Sequence, residues 1–366
     1  MTEADLFDRL RLLRSRRVGV ATYHRMMAEH GSARAALDAL PHVAKAAGVA
    51  DYAICPAPVI AAELKAGRAA KATLVALGDP FYPAHLADIA DAPPLLWVMG
   101  QRALLQRPTI ALVGARNASS LGTRMTRALA RELGEAGFVV VSGLARGVDT
   151  AAHLASLDSG TIAVQAGGVD TIYPTENTKL AEDIARKGLR VSEMPMGMQP
   201  QARHFPARNR IIAGMAQAVV VVEAAAKSGS LITARNALDQ AREVLAVPGH
   251  PFDARAAGCN MLLRDGAVLV RSAADVIEAI GPLATQTTNP ELPLDLATPT
   301  LPQRSLRETA QLHDRILSRL GPSPLAEDQL IRDLATPATQ VAPVIVDLEL
   351  DGKITRQPGG LLTLAH

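Results

Sequence analysis

Between Thr109 and Ile280 seven short apolar runs alternate with amphipathic stretches: Ile110 to Val113, Phe138 to Val141, Ile162 to Val164, Arg190 to Val191, Ala218 to Val222, Val244 to Val247 and Ala267 to Val270. The runs do not alternate polar and apolar residues, so both faces of each strand must be covered. The helical stretches between them provide that cover and the crossovers that parallel pairing needs. This pattern predicts an α/β fold, a doubly wound and mostly parallel sheet, with a ligand crevice beyond the carboxyl ends of its strands.

The flanks read differently. Residues 1–70 are Ala-rich, with apolar positions at helical spacing (Leu6, Leu10, Leu13) and breaks expected at Gly19, Gly31 and Pro41, which predicts a small helical domain. Within it Arg17-Val18-Gly19-Val20 is similar to a helix-hairpin-helix, with one glycine in place of the usual pair. The sheet domain is assigned to residues 71–281. From Pro282 to Pro302 five Pro and five Thr in 21 residues disfavour helix and central strand, so residues 282–304 are read as an extended linker. Residues 305–366 offer three helical stretches, then Lys353 to Arg356, a Pro358-Gly359-Gly360 turn and Leu361 to Leu364, the order of a winged helix. Its third helix carries Asp347, Glu349 and Asp351, which oppose a phosphate backbone, and Pro343, which removes a backbone donor. The module is therefore expected to meet protein rather than DNA.

Bulk charge excludes one class of explanation. A net charge of +2 over 366 residues is too small for whole-molecule attraction to nucleic acid, so any such binding must come from a local patch. Cys55 and Cys259 are the only cysteines, far apart and outside any CxxC, which fits a reducing cytoplasm and argues against structural zinc. The acidic start, Met1-Thr2-Glu3-Ala4-Asp5, has no basic and apolar leader pattern, and no apolar run approaches the ~20 residues of a membrane span. The expectation is a cytoplasmic protein without membrane contact.

A local patch exists. The 29 residues from Met194 to Val222 contain no Asp or Glu, where about three would be expected by proportion, and hold Arg203, His204, Phe205, Arg208 and Arg210. Arginines focus phosphate and an aromatic ring stacks on any base, a combination suited to a single strand of nucleic acid. Several strand ends are rich in small residues: Val113 runs into Gly114-Ala115-Arg116, Val141 into Ser142-Gly143, Ala166 into Gly167-Gly168, and Glu223 is followed by Ser228-Gly229-Ser230. Together these form an anion-accepting rim, although a tight turn alone also asks for Gly. Arg208 and Arg210 cannot point the same way from one helix, so one is expected to face a ligand and the other to brace the loop.

Catalytic patterns are scarce. HExxH, GxSxG, GxGxxG and GxxxxGK[ST] are all absent, which lowers the odds of zinc peptidase, serine hydrolase, dinucleotide and NTP chemistry. Asp149 and His153 share a helix face at i,i+4, where a first-turn carboxylate answering the helix dipole and a locally bonded imidazole account for them better than an acid-base pair. Glu193 and Glu223 each follow a strand and either contact a ribose or cap the next helix. Met261-Leu262-Leu263 is either a self-association face or a core helix.

Five blocks occur in fixed order: Val113 to Arg116, Ser142 to His153, Gly167 to Pro174, Phe205 to Ile212 and Ser228 to Ala234. With Asp79-Pro80-Phe81-Tyr82-Pro83, Pro93-Pro94-Leu95-Leu96 and Gly258-Cys259-Asn260 they make the chain closely resemble the DNA-processing DprA (Smf) family over residues 70 to 280. The flanks match in kind, the first as a SAM-like or helix-hairpin-helix-like domain. The resemblance implies an extended Rossmann-like core, a homodimer, and a non-enzymatic role without cofactor or metal: binding single-stranded DNA and delivering it to the recombinase RecA, chiefly in natural transformation. It implies that Arg116, Arg203, Phe205, Arg208, Asn209 and Arg210 contact the strand, with Ser142, Gly143, Ser228, Gly229 and Ser230 shaping the rim. The family pattern places a Lys where Ala202 stands, leaving Arg203 as the nearest cation. The competing reading is a nucleotide enzyme of phosphoribohydrolase type, with Glu193 or Glu223 as acid or base.

Overall fold

The computed structural model describes residues 2–49 and 51–281 and, in the C-terminal region, 306–321, 324–334 and parts of 336–364. The chain forms two compact units, Met1–Thr285 and Gln286–His366. The first begins with four helices, α1 (Glu3–Arg14), α2 (Val20–His30), α3 (Ala33–Ala46) and α4 (Ala57–Ala69). The expected breaks appear at Gly19, which caps α2, and at Gly31, which ends it in a left-handed conformation at φ 73°. Pro41 does not break α3. It costs the helix one N–H bond, but Leu37, Leu40 and Ala44 on either side are buried, and that packing outweighs the local loss.

Nine strands follow: β1 (Thr73–Ala76), β2 (Leu95–Gly100), β3 (Thr109–Val113), β4 (Val139–Ser142), β5 (Thr161–Val164), β6 (Leu189–Ser192), β7 (Ala218–Val221), β8 (Glu243–Ala246) and β9 (Val268–Leu269). Their order across one sheet is β1-β2-β6-β5-β4-β3-β7-β8-β9. From β6 to β9 every neighbour is parallel, while β2 runs antiparallel to β6 and β1 antiparallel to β2. All seven expected strands are present, and the order β5-β4-β3-β7-β8-β9 is that of a Rossmann fold. The antiparallel pair β1 and β2 extends it.

The all-apolar strands bury both faces. Ala111 and Val113 of β3 lie in one cluster with Ile211 and Ile212, whereas Ile110 and Leu112 lie in the opposite one with Leu129 and Leu133. Helix α5 (Ala84–Ala87) precedes β2, α6 (Ser120–Glu135) follows β3, α7 (Val148–Ala155) follows β4, α8 (Thr178–Lys187) follows β5 and α9 (His204–Met215) follows β6. The remaining helices are α10 (Ser230–Asp239), α11 (Ala257–Arg264) and α12 (Ala273–Ile280). Because α6 and α9 cover opposite faces, the connections diverge between β3 and β7 and leave a crevice at their carboxyl ends. At the other edge Leu10 of α1 and Ile60 of α4 share a core cluster with Leu74, Leu95 and Trp97, so the N-terminal helices are built onto β1 and β2.

The second unit comprises α13 (Leu306–Arg319), β10 (Leu325–Ala326), α14 (Glu327–Leu334), β11 (Ile354–Gln357) and β12 (Leu361–Leu364), with strand order β10-β12-β11. Leu312, Ile316, Leu330, Ile345 and Leu362 form its own core. This is a winged-helix arrangement. The linker 282–304 and residues Pro343, Asp347 and Asp351 lie outside the described residues. No helix of the described residues is long and apolar enough to cross a membrane.

Candidate nucleic-acid interface

Two adjoining clefts open at the carboxyl ends of the parallel strands. The larger, about 830 Å³, sits at the divergence of β3 and β7 between Gly114, Arg116, Arg208, Asn209 and the Ser228–Ser230 turn. The smaller, about 230 Å³, lies over β4 and β5 between Gly143, Gln165, Gly167, Tyr173 and Pro200. Arg116, Ala145, Phe205 and Arg208 belong to both, so these residues form the ridge over which the clefts join. On this ridge the guanidinium carbons of Arg116 and Arg208 stand 5.4 and 5.8 Å from the centre of the Phe205 ring. The Tyr173 ring lies 5.8 Å from the same ring, tilted by 54°.

Arg208 is only 6% exposed. Burial pulls its pKa down, Asp149 pushes it back up, and Arg116 opposes it as a like charge. Its Nε has no hydrogen-bond partner among the described residues. That atom is sealed from the clefts, but the guanidinium itself lines both and has no salt-bridged carboxylate among the described residues, so an anion there would meet a cation without an ion-pair partner. The space for it exists because residue 143 is glycine: a Cβ there would fall 1.2 Å from Arg208 Nη1.

The loop beneath this guanidinium is fixed from below. Leu144 is held left-handed at φ 59°, a costly conformation for a branched side chain. Asp149 Oδ2 accepts from the N–H groups of Gly143 (3.1 Å) and Ala145 (3.2 Å). His153 Nε2 accepts from the Leu144 N–H (3.3 Å) and Asn177 Nδ2 donates to the Leu144 carbonyl (2.9 Å). His153 therefore keeps its proton on Nδ1, facing Thr161 Oγ1 at 2.7 Å, and burial lowers its pKa to about 3. Burial raises the pKa of Asp149, against the pull of Arg208 and the two backbone donors. The pair thus carries a loop.

The acid-free window of the sequence is not acid-free in space. Glu193, one residue before it, accepts from Arg210 Nη2 at 2.6 Å, and Asp91 stands 3.2 Å from Arg210 Nε. Burial pushes the Glu193 carboxyl up while Arg210 pulls it down. Arg210 consequently braces α9 from behind and lines neither cleft, its cation matched by Glu193 and Asp91. Arg208 takes the outward position. Glu223 accepts from the backbone N–H (3.1 Å) and hydroxyl (2.6 Å) of Ser119, the N-cap of α6, which is its capping reading. Both carboxylates that an enzymatic reading would use are engaged in the scaffold.

The other expected residues separate as well. Arg116, Gly143, Phe205, Arg208, Asn209, Ser228, Gly229 and Ser230 line the clefts. Ser142 is fully buried and donates its hydroxyl to the Leu112 carbonyl (2.7 Å), so it supports the rim without facing it. Arg203 is exposed at the start of α9 and lines neither cleft, whereas Ala202 does. Tyr173 and Arg255 line the clefts without having been expected to, and Lys227, which belongs to the same strand-end turn as Ser228, lines the larger one. Tyr173 carried a signal, as one of ten aromatic residues and at a Gly-rich strand end.

Comparison with known proteins agrees in every segment. Residues 73–281 match the family described as DNA recombination-mediator protein A, residues 3–66 a DprA-like N-terminal HHH domain, and residues 300–360 a DprA winged helix domain. Protein Smf of Synechocystis is 36% identical over 310 residues, covering 77% of each chain. The X-ray structure of DNA processing protein A from Streptococcus pneumoniae superposes with a TM-score of 0.59 at 33% identity, over 76% of this chain and 93% of that one. The DNA processing protein A of Helicobacter pylori, whose structure is described as giving insight into a unique single-stranded DNA binding mode, superposes with a TM-score of 0.53 at 31% identity, over 57% of this chain and 95% of that one.

Proposed function

This chain belongs to the DNA recombination-mediator protein A (DprA/Smf) family, and from that premise we propose that it binds single-stranded DNA in the joined clefts and presents it to RecA in the cytoplasm. The observation that carries this reading is Arg208, a buried guanidinium at the wall of both clefts with no salt-bridged carboxylate among the described residues, beside an aromatic ring that two arginines flank. Phosphates would lie against Arg116 and Arg208, with Asn209 and the Ser228–Ser230 turn as further donors. A base would stack on Phe205 or Tyr173, worth about 1–3 kcal/mol per base. Cofactor and metal have no part in this proposal.

Titrating labelled single-stranded and duplex oligonucleotides across a salt series tests it. Single strands are expected to bind more tightly, with a salt dependence that falls when Arg116 or Arg208 is replaced by Ala. Equal affinity for a mononucleotide and a long strand, with hydrolysis of the mononucleotide, would instead favour a nucleotide enzyme. We also propose a homodimer. Strand β9 ends the sheet and leaves Val268 and Leu269 38% and 45% exposed, an apolar edge suited to a second copy. Sedimentation of the wild type and of Leu269→Lys tests that point.

A further inference from the structure

A second basic surface lies one loop away from the clefts. Helix α6 exposes Arg124, Arg127 and Arg131, which at these spacings share one face. Arg124 and Arg127 have no acidic partner among the described residues, and Arg131 has only loose ones, Glu135 at 3.8 Å and Glu132 at 4.0 Å. Between this face and the clefts is a hollow of about 570 Å³ bounded by Ser119, Arg124, Val247, His250 and Asp253. Its two carboxylates are occupied, Glu223 by Ser119 and Asp253 by Arg255. The loop from Pro248 to Ala256 forms the shared wall, because Arg255 faces the larger cleft while Asp253 and Ala256 face the hollow. On that loop Phe252 is 94% exposed, with the His250 ring 5.6 Å away.

We propose that a single strand leaving the larger cleft crosses this loop, stacks a base on Phe252 and lays its phosphates along Arg124 and Arg127. The inference rests on the strand-binding reading of the clefts and extends its footprint. The same two ingredients recur, an aromatic ring offered to solvent and arginines without carboxylate partners, and they continue the existing wall. A bare aromatic ring costs exposure in water, and stacking on a base covers it without sequence preference.

The test uses the full-length chain with oligothymidylates of about 8 and about 30 nucleotides, the shorter confined to one binding site. Phe252→Ala and the double variant Arg124→Gln/Arg127→Gln are expected to weaken the long strand about ten-fold and leave the short one unchanged. In the double variant the slope of log affinity against log salt should fall by about 1.4, at about 0.7 per phosphate contact. Phe205→Ala should weaken both lengths. Unchanged binding of the long strand by both variants overturns the proposal, as does an equal loss at both lengths, which would place the effect in the clefts. Unchanged DNA binding with an altered sedimentation coefficient assigns this surface to protein contact and overturns it too. If the wild type binds neither length, the cleft reading itself fails.

Discussion

Gly143 is the residue on which the site turns. Its missing Cβ leaves room for the Arg208 guanidinium, which is the far end of a flexible side chain and can be pushed away without unfolding the loop. Gly143→Ala is therefore expected to fold normally and to bind single-stranded DNA at least ten-fold less tightly, as about 1.5–3 kcal/mol of charge-assisted contact is lost. An oligonucleotide titration beside a thermal melt checks both halves. His153 makes a different prediction. It stays neutral in the fold to about pH 3, while in the unfolded chain it takes up a proton near pH 6.5. The unfolded state thus binds more protons between those values, and stability falls as pH drops through that window, by up to about 1.4 kcal/mol per unit. Asp149 and Glu193, with raised pKa values, act in the opposite sense above the ordinary carboxylate range. The clean measurement is the difference between wild type and His153→Gln across pH 4 to 6.5, which should shrink toward acid; a difference that does not change with pH would contradict the assigned protonation.

At the level of elements, α9 sorts two arginines by two positions. Arg208→Ala should weaken strand binding and also lower the melting temperature, because it removes the cation that faces buried Asp149. Arg210→Ala should lower the melting temperature and leave strand binding unchanged, because it abandons Glu193, 12% exposed at its side chain, without a counter-charge. Breaking such a buried pair costs about 3–5 kcal/mol, and comparing melts with titrations for the two variants tests the division. The sequence announced part of this arrangement. Both-face-apolar strands, Gly-rich strand ends and the Phe205 to Arg210 block were legible because each rests on local pattern. The neutralisation of Arg210 was not, since Asp91 and Glu193 reach it only after the sheet is assembled. Nor were β1 and β2 expected: Leu74-Val75-Ala76 and Leu95-Leu96-Trp97-Val98 lie among prolines and short turns, and the antiparallel pairing of β2 to β6 is a long-range event. Pro41 misled for the opposite reason, as a strong local rule overridden by packing. The roles of Asp149 and His153 were half visible, their local bonding but not the strained Leu144 that they hold.

On the scale of the whole molecule, each compact unit closes its own core, so residues 1–285 should fold and bind single strands without the winged helix. Calorimetry of the full chain is expected to resolve two transitions, and a chain ending at residue 285 should keep the larger one with unchanged oligonucleotide affinity. A third transition for the N-terminal helices is not expected, because α1 and α4 share their cluster with β1 and β2. The seam is close: a Cβ on Gly67 of α4 would fall 2.4 Å from the Trp97 ring, and Trp97 Nε1 donates to Glu63, which also holds Arg14. Trp97 is the only tryptophan of the chain. Its emission is accordingly a built-in optical gauge of one event, the seating of the helical layer on the sheet edge. It should redden when that seam opens and stay constant while a strand fills the clefts, whose floor is formed by the other strands of the sheet.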